Sequence, residues 1–247
     1  MKNIKRDREF VLITGDTHGR FARIREYLWR NQVAEQSLLI ILGDAGINYF
    51  GGARDRELKK FLETFDITLL CIHGNHERRP ETIPTYKEEC WRGGVVYVEP
   101  DYPHLLFAKD GEVYDICGKQ TLVIGGAYSV DREYRIARNP HNPEWWPDEQ
   151  PSEEIKQRVR TKLDSMNWKA DVVLSHTVPR KYEPVETFLK WIDQSSVDKS
   201  TEDWLQEIED NLTYEHWYAG HYHIQKTVDR LEMMYENVHG FDDYQMN

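Results

Sequence analysis

The sequence predicts an α/β fold that begins with a parallel sheet, and three observations carry that expectation. Residues 10–14 (FVLIT), 38–42 (LLIIL) and 67–72 (ITLLCI) are short β-branched and aliphatic runs bounded by glycine or polar residues, the composition of buried strands. Between them, Phe21, Ile24 and Leu28 recur at i, i+3 and i+7, and Leu58, Phe61, Leu62 and Phe65 keep a similar helical spacing. Each run then gives way to a polar cluster: Gly15-Asp16, Gly43-Asp44 and His73-Gly74-Asn75-His76. Strand, helix, strand, helix, strand is the order of right-handed crossovers between parallel strands. The three clusters therefore fall at the carboxyl ends of neighbouring strands, where open α/β sheets keep their sites.

The middle of the chain changes character. Residues 95–98, 113–117 and 121–124 read as strands joined by short turns, with Gly118-Lys119 as a hairpin turn, and are expected to form a second, more antiparallel sheet. Residues 125–151 hold four prolines, the pair Trp145-Trp146 and no apolar period, so a long ordered loop is expected there, a kind of segment that is often functional. The tryptophans are expected to pin that loop to the core. Ser152 is placed to cap a helix carrying Ile155, Val159, Leu163 and Met166. Residues 171–174 (DVVL) are the next strand, ending at Ser175-His176, and helical patterns follow near 185–192 and 201–212. The acidic stretch 202–210 reads as a solvated face. In the tail, 216–219, 224–228 and 231–235 read as strands around Gly220-His221-Tyr222-His223. No repeat, low-complexity tract or linker divides residues 1–247, so one domain is expected.

Composition narrows the partners. The 247 residues carry 43 acidic against 32 basic side chains, a net charge of −11, which disfavours a protein that neutralises a nucleic-acid backbone. The longest aliphatic run, 38–42, is far below the roughly 18 apolar residues of a membrane span, so no membrane association is expected. Residues 1–10 start basic but lack an apolar core, and Cys71, Cys90 and Cys117 are odd in number with no CxxC spacing. Together these predict no signal peptide, no structural zinc site and a cytoplasmic location.

Five clusters carry chemistry, each after a predicted strand: Asp16-Thr17-His18-Gly19, Gly43-Asp44, Gly74-Asn75-His76-Glu77, Ser175-His176 and His221-Tyr222-His223. Their donors are carboxylate and amide oxygens and imidazole nitrogens, the set that suits zinc, manganese or iron. The alternating histidines of Gly-His-x-His can straddle a pair of metals, and a short carboxylate such as Asp44 suits a bridge between ions about 3.5–4 Å apart. His104, His141, His216 and His239 lack such placement and read as ordinary histidines.

Taken in order from Asp16 to His223, these motifs resemble the calcineurin-like metallophosphoesterase superfamily in its single-domain bacterial and phage form. The resemblance implies a four-layer α-β-β-α sandwich of two mixed sheets flanked by helices. It implies two divalent or trivalent transition-metal ions, manganese first, with iron, zinc or nickel as alternatives. Carried over residue by residue, Asp16, His18 and His223 would hold the first ion and Asn75, His176 and His221 the second, with Asp44 bridging. His76 matches the family's non-ligand histidine, which contacts the substrate and protonates the leaving oxygen. The implied reaction is hydrolysis of a small phosphate mono- or diester, a nucleotide among the candidates, by in-line attack of a metal-activated hydroxide with His76 as general acid.

The departures from the pattern bear on the substrate. Protein-phosphatase-like members carry an Asp and an Arg three and four places after the bridging Asp, where this chain has Ile47 and Asn48, and an Arg before Gly-Asn-His-Glu, where it has His73. The bidentate clamp for a terminal phosphate is thus missing. That weighs against a Ser/Thr phosphoprotein phosphatase, which stands with a dinucleoside-polyphosphate hydrolase as the alternative reading. Arg132 or Arg135 could supply the replacement cation, so Asn48, His73, Arg132 and Arg135 are the candidate substrate contacts. A non-catalytic scaffold of the same fold is a third reading, and the presence of all seven ligand positions and His76 weighs against it. No protein partner is indicated.

Overall fold

The computed structural model describes residues 10–141, 144–188, 190, 191 and 193–246. The first three aliphatic runs are β1 (Val11–Thr14), β2 (Leu38–Ile41) and β3 (Thr68–Cys71), and the helices between them are α1 (Ala22–Arg30) and α2 (Gly52–Glu63). β1 pairs in parallel with β2, and β2 with β3. Then follow β4 (Lys87–Trp91), β5 (Gly94–Glu99), β6 (Tyr102–Ala108), β7 (Val113–Ile116) and β8 (Lys119–Ile124). The helices α3 (Arg132–Arg138) and α4 (Glu153–Ser165) precede β9 (Val172–Ser175). The chain continues with α5 (Ser200–Asn211), β10 (His216–Ala219), β11 (Lys226–Val228), β12 (Leu231–Met233) and β13 (Val238–Gly240).

Among the described residues thirteen strands form two sheets, ordered β13-β1-β2-β3-β6-β5-β4 and β11-β12-β10-β9-β8-β7. Both are mixed. In each, four central strands run in parallel and the outer ones are antiparallel to their neighbours. Side-chain alternation along the strands then sorts the core into layers. Ile13, Leu38, Ile40 and Leu70 face the second sheet and pack with Tyr114, Val123, Val172, Leu174 and Tyr218. Leu12, Leu39, Ile41 and Leu69 face the other way, onto Phe21, Ile24 of α1 and Leu62 of α2. On the far side, Leu122, Val173 and Trp217 pack against Ile155, Val159 and Leu163 of α4 and Leu205 and Ile208 of α5. The result is the expected α-β-β-α sandwich of two mixed sheets, with an apolar layer at each of its three interfaces.

Several sequence expectations need correction. The run 95–98 is in β5, which lies in the first sheet between β4 and β6, whereas β7 and β8 start the second sheet. The second sheet is parallel at its centre because β8, β9 and β10 are joined by crossovers through α4 and α5. The β7–β8 turn is Cys117-Gly118 rather than Gly118-Lys119: Cys117 and Gly118 take positive φ of 55° and 76°, the two-residue turn whose twist matches the strands. Residues 125–151 are not loop throughout, since they contain α3; none of its residues is buried, so it has no apolar period to read. Within 185–192 the structure has a single 3-10 turn at Val185–Thr187, with Leu189 and Ile192 outside the described residues. The acidic stretch 202–210 is not wholly solvated, because Glu202 and Glu209 are buried. Ser152 does cap α4, its hydroxyl accepting from Ile155 N at 3.3 Å.

Candidate metal centre

Strand ends and the turns after them bring the five polar clusters to one edge of the sandwich. Asp16 and His18 follow β1, Asp44 follows β2, Asn75 and His76 follow β3, His176 follows β9, and His221 and His223 follow β10. His18, Asp44, His221 and His223 all take positive φ, 46°, 47°, 69° and 53°. That region costs a non-glycine side chain on the order of 1 kcal/mol or more and clusters at functional sites. Two glycines make the close approach feasible: a Cβ on Gly74 would lie 2.1 Å from Asp44 Oδ1, and one on Gly220 2.4 Å from Asp16 Oδ1.

Two groups of donor atoms sit on either side of Asp44. In one, His18 Nε2 is 2.8 Å from His223 Nε2, and Asp16 Oδ2 is 3.2 Å from His223 Nε2 and 3.8 Å from His18 Nε2. In the other, Asn75 Oδ1 is 2.8 Å from His176 Nε2 and 3.1 Å from His221 Nδ1. Asp44 reaches both groups, with Oδ1 3.7 Å from His176 Nε2 and Oδ2 4.0 Å from His18 Nε2. Asp16, His18 and His223, and likewise Asp16, Asp44 and His176, are close enough to share one ion.

Hydrogen bonding indicates what belongs between these atoms. His176 Nδ1 lies 2.7 Å from the carbonyl of Leu42, an acceptor only, so Nδ1 donates to it, and in the tautomer that carries its proton there Nε2 turns a lone pair towards Asn75. The Asn75 amide is fixed by its Nδ2, which donates to Ser129 Oγ at 2.8 Å and leaves Oδ1 facing the two histidines. An acceptor facing an acceptor in a site where His176 is wholly buried calls for a cation, and the oxygen and imidazole donors fit a transition metal. The backbone amides of His221 and His76 complete the frame, donating to Asp16 Oδ1 at 2.9 Å and to Asp44 Oδ1 at 2.7 Å.

The titration tendencies of Asp16, His18 and His221 suit ligand duty. Burial would push the Asp16 carboxyl up, but the hydrogen bond with His223 and the charges of His176, His223 and His18 hold it below its ordinary value. Burial pushes His18 down against the pull of Asp44 and Asp16, and pushes His221 well down with the help of His176, so both favour the neutral form that binds metals. His223 is shifted up, chiefly by its hydrogen bond with Asp16.

His76 stands beside the donors with its ring edge-on to His18, centroids 5.5 Å apart, and its Nε2 3.9 Å from Asp44 Oδ2. Burial lowers its pKa, Asp44 opposes that, and Arg135 adds to it. Arg135 Nη2 contacts the His76 ring, while Nε donates to Asp131 Oδ2 at 2.7 Å and Nη1 to the Glu144 carbonyl at 2.8 Å. Arg135 touches His76 and Asp131, which line the cavity in front of the donors, without lining it itself, and the other candidate substrate contacts lie elsewhere. Arg132 points away, its guanidinium 5.1 Å over Trp145 and its Nε donating to Glu133. Asn48 is buried with its amide hydrogen-bonded to the Tyr86 hydroxyl, and His73 is buried with neither ring nitrogen hydrogen-bonded. Neither lines the cavity in front of the donors. Trp146 packs edge-on against Tyr49, centroids 5.7 Å apart, and is likewise off the cavity wall.

That cavity has a volume of about 440 Å³. Asp44, Asn75, His76, His221 and His223 form one wall, and Tyr128, Val130, Phe188, Lys199, Glu202 and Tyr222 are on the other. The sequence reading did not single out Ser129 or this second wall. Ser129 is in the segment suspected of function, but nothing in the sequence pairs it with Asn75, 54 positions away. Its own amide donates to the buried carboxylate of Glu149 at 3.0 Å, which anchors the far end of the segment.

With this geometry in hand, comparison with known proteins is informative at the level of family. The family model described as calcineurin-like phosphoesterase matches residues 11–225. No curated protein matches. Among solved structures the chain is similar to TT1561 of Thermus thermophilus, at 12% identity over 92% of this chain and 88% of that one, with a TM-score of 0.48. It is also similar to the Thermus thermophilus sulfate thiohydrolase SoxB in complex with glycerol, at 11% identity over 89% of this chain and 36% of that one, with a TM-score of 0.34. Neither likeness bears on the activity. No helix among the described residues is long and apolar enough to cross a membrane.

Proposed function

This chain belongs to the calcineurin-like phosphoesterase family, and from that premise we propose that it is a dimetal-dependent hydrolase of a small phosphate mono- or diester. The observation that carries the reading is the pair of donor groups on either side of Asp44, one carboxylate oxygen turned to each. Asp16, His18 and His223 would hold one transition-metal ion and Asn75, His176 and His221 the other, with Asp44 shared and manganese the first candidate. Such ions supply Lewis acidity and lower the pKa of coordinated water to about 7.

The chain's own residues supply the rest. Asp16 and Asp44 bring two negative charges to a buried edge, which offsets the cost of dehydrating cations there. His76, beside Asp44 and on the cavity wall, is positioned to give a proton to the leaving oxygen, a step typically worth about 10²–10⁴-fold. Arg135, in contact with His76, would neutralise a non-bridging phosphate oxygen and so replace the cation missing at Asn48. The Asp131 carboxylate and the Glu144 carbonyl hold that guanidinium in place.

The test is metal content by elemental analysis paired with turnover of bis-p-nitrophenyl and p-nitrophenyl phosphate after reconstitution with Mn²⁺. Roughly two ions per chain with turnover of either ester is the expected result. A protein that carries both ions and hydrolyses no ester would overturn the reading.

A further inference from the structure

The proposed chemistry uses only one wall of the cavity. The facing wall comes from three parts of the chain: Tyr128 and Val130 after β8; Thr187, Phe188, Gln194, Val197, Asp198 and Lys199 from between β9 and α5; and Tyr222 between the two ligand histidines. Its centre is apolar and aromatic. The Phe188 and Tyr222 rings are stacked within 16° of parallel, centroids 6.0 Å apart, with Tyr128, Val130 and Val197 around the same space. A volume of about 440 Å³ is in the range of pockets that hold organic ligands, and a lone phosphate with a one- or two-carbon ester group would leave most of it filled with water.

Charge restricts the occupant further. Among the described residues lining this lobe the lysine or arginine is Lys199, and its Nζ is bound to Glu183 Oε1 at 2.6 Å. Asp198 is held by neutral donors, Gln150 Nε2 and Ser200 N, both at 2.9 Å, and keeps its negative charge at the edge of the lobe. Glu202 accepts from Thr177 Oγ1 at 2.8 Å. Asp131 is paired with Arg135. A second phosphate in this lobe would meet carboxylates and, among the described lining residues, no spare cation, a like-charge juxtaposition that costs affinity.

We propose that this lobe binds the organic part of the substrate, and that this part is an uncharged planar ring, of a nucleoside or an aryl group, joined to a single phosphoester. The ring packs against the Phe188, Tyr222 and Tyr128 side chains, with Lys199 Nζ 4.7 Å over the Phe188 ring, while the phosphorus sits at the donor edge. This rests on the phosphoesterase reading above and narrows it, against polyphosphates and against phosphoserine-type substrates.

The test is competition against turnover of a chromogenic ester at fixed free Mn²⁺, which works for a monoesterase and a diesterase alike. Inhibition constants are compared for ribose 5-phosphate, a nucleoside 5′-monophosphate, benzyl phosphate and the nucleoside 5′-triphosphate. The monophosphate should bind about 10-fold or more tighter than ribose 5-phosphate, as stacking of one base on an aromatic side chain allows. Benzyl phosphate separates the two ring sources: parity with the nucleotide assigns the lobe to any aryl group, and weaker binding assigns it to a nucleoside. The triphosphate should bind no tighter than the monophosphate. Phe188→Ala should shrink the advantage over ribose 5-phosphate to below about 3-fold, and Phe188→Leu, which keeps the apolar volume, should shrink it in part. Turnover with all four constants within about 3-fold of one another, or a triphosphate that binds best, would overturn the assignment of the lobe while leaving the phosphoesterase reading intact. Full metal loading with no ester turned over would overturn both.

Discussion

The two walls of the cavity are built in different ways. The donor wall hangs from the ends of five parallel strands, and Asp16, Asp44, Asn75 and His176 are each at most 2% exposed. Apart from buried Glu202 in the first turn of α5, the facing wall hangs from loops and single turns, its rings are half-buried, and Val130 at its rim is 50% exposed. Moving a donor means moving a strand end packed between two apolar layers, whereas the facing wall can change sequence at little cost to the core. On the proposed reading, reaction chemistry rests on the part of the fold that is hardest to alter, and substrate choice on the part that is easiest.

That division can be broken or sharpened by substitution. The largest effect is expected on the donor wall: His76→Ala should lower kcat by about 10²–10⁴-fold while both metals stay bound. Loss of metal in that variant, read by elemental analysis, would make His76 a ligand instead. Ser129→Ala frees the amide of Asn75 to rotate and should weaken one metal by about 10–100-fold, the usual range for a residue that orients a ligand, leaving the other unchanged. Metal titration followed by calorimetry reads this directly, and two unchanged affinities would show that Ser129 is not needed to hold the amide. Arg135→Met should lower kcat/KM by about 10-fold on phosphate esters at unchanged metal content. Equal kinetics would remove Arg135 from the substrate contacts.

The smallest effect is on stability and belongs to the facing wall. Burial pushes the Glu202 carboxyl from its ordinary 4.5 up to about 7, opposed by its hydrogen bond with Thr177. The folded state then holds a proton that the unfolded state has released, so this group favours folding below about pH 4.5 and progressively less as pH rises to 7. Glu202→Gln keeps a partner for Thr177 and removes the titration. It should raise Tm by a few degrees at pH 8 and by less at pH 5. The same gain at both values would show that the carboxyl titrates as an ordinary exposed one.

The donor wall was also the more legible of the two. β1, β2 and β3 announce themselves because strands buried on both faces must be continuously apolar, and the sudden polar residues after them can only be at the sheet edge. The elements that escaped notice lack that contrast. β4, KEECW, is an edge strand with four of its five residues exposed, so charge on it blocks edge pairing and erases the alternation. β6 carries Pro103 and His104 at its start, and β13 is three residues long. The facing wall was invisible for a different reason. Tyr128, Phe188 and Tyr222 meet across 94 positions of chain, and no local spacing encodes such a meeting. Asn48 and His73 show the converse: both adjoin the motifs in sequence, yet their side chains turn into the core.

The central claim is that two ions share Asp44, and metal binding by an Asp44→Asn variant tests it most directly. Removing one charge from a shared ligand should weaken both ions at once, seen by calorimetric Mn²⁺ titration as a fall in both affinities relative to the unmodified protein. A variant that still takes up two ions at full affinity would contradict the account.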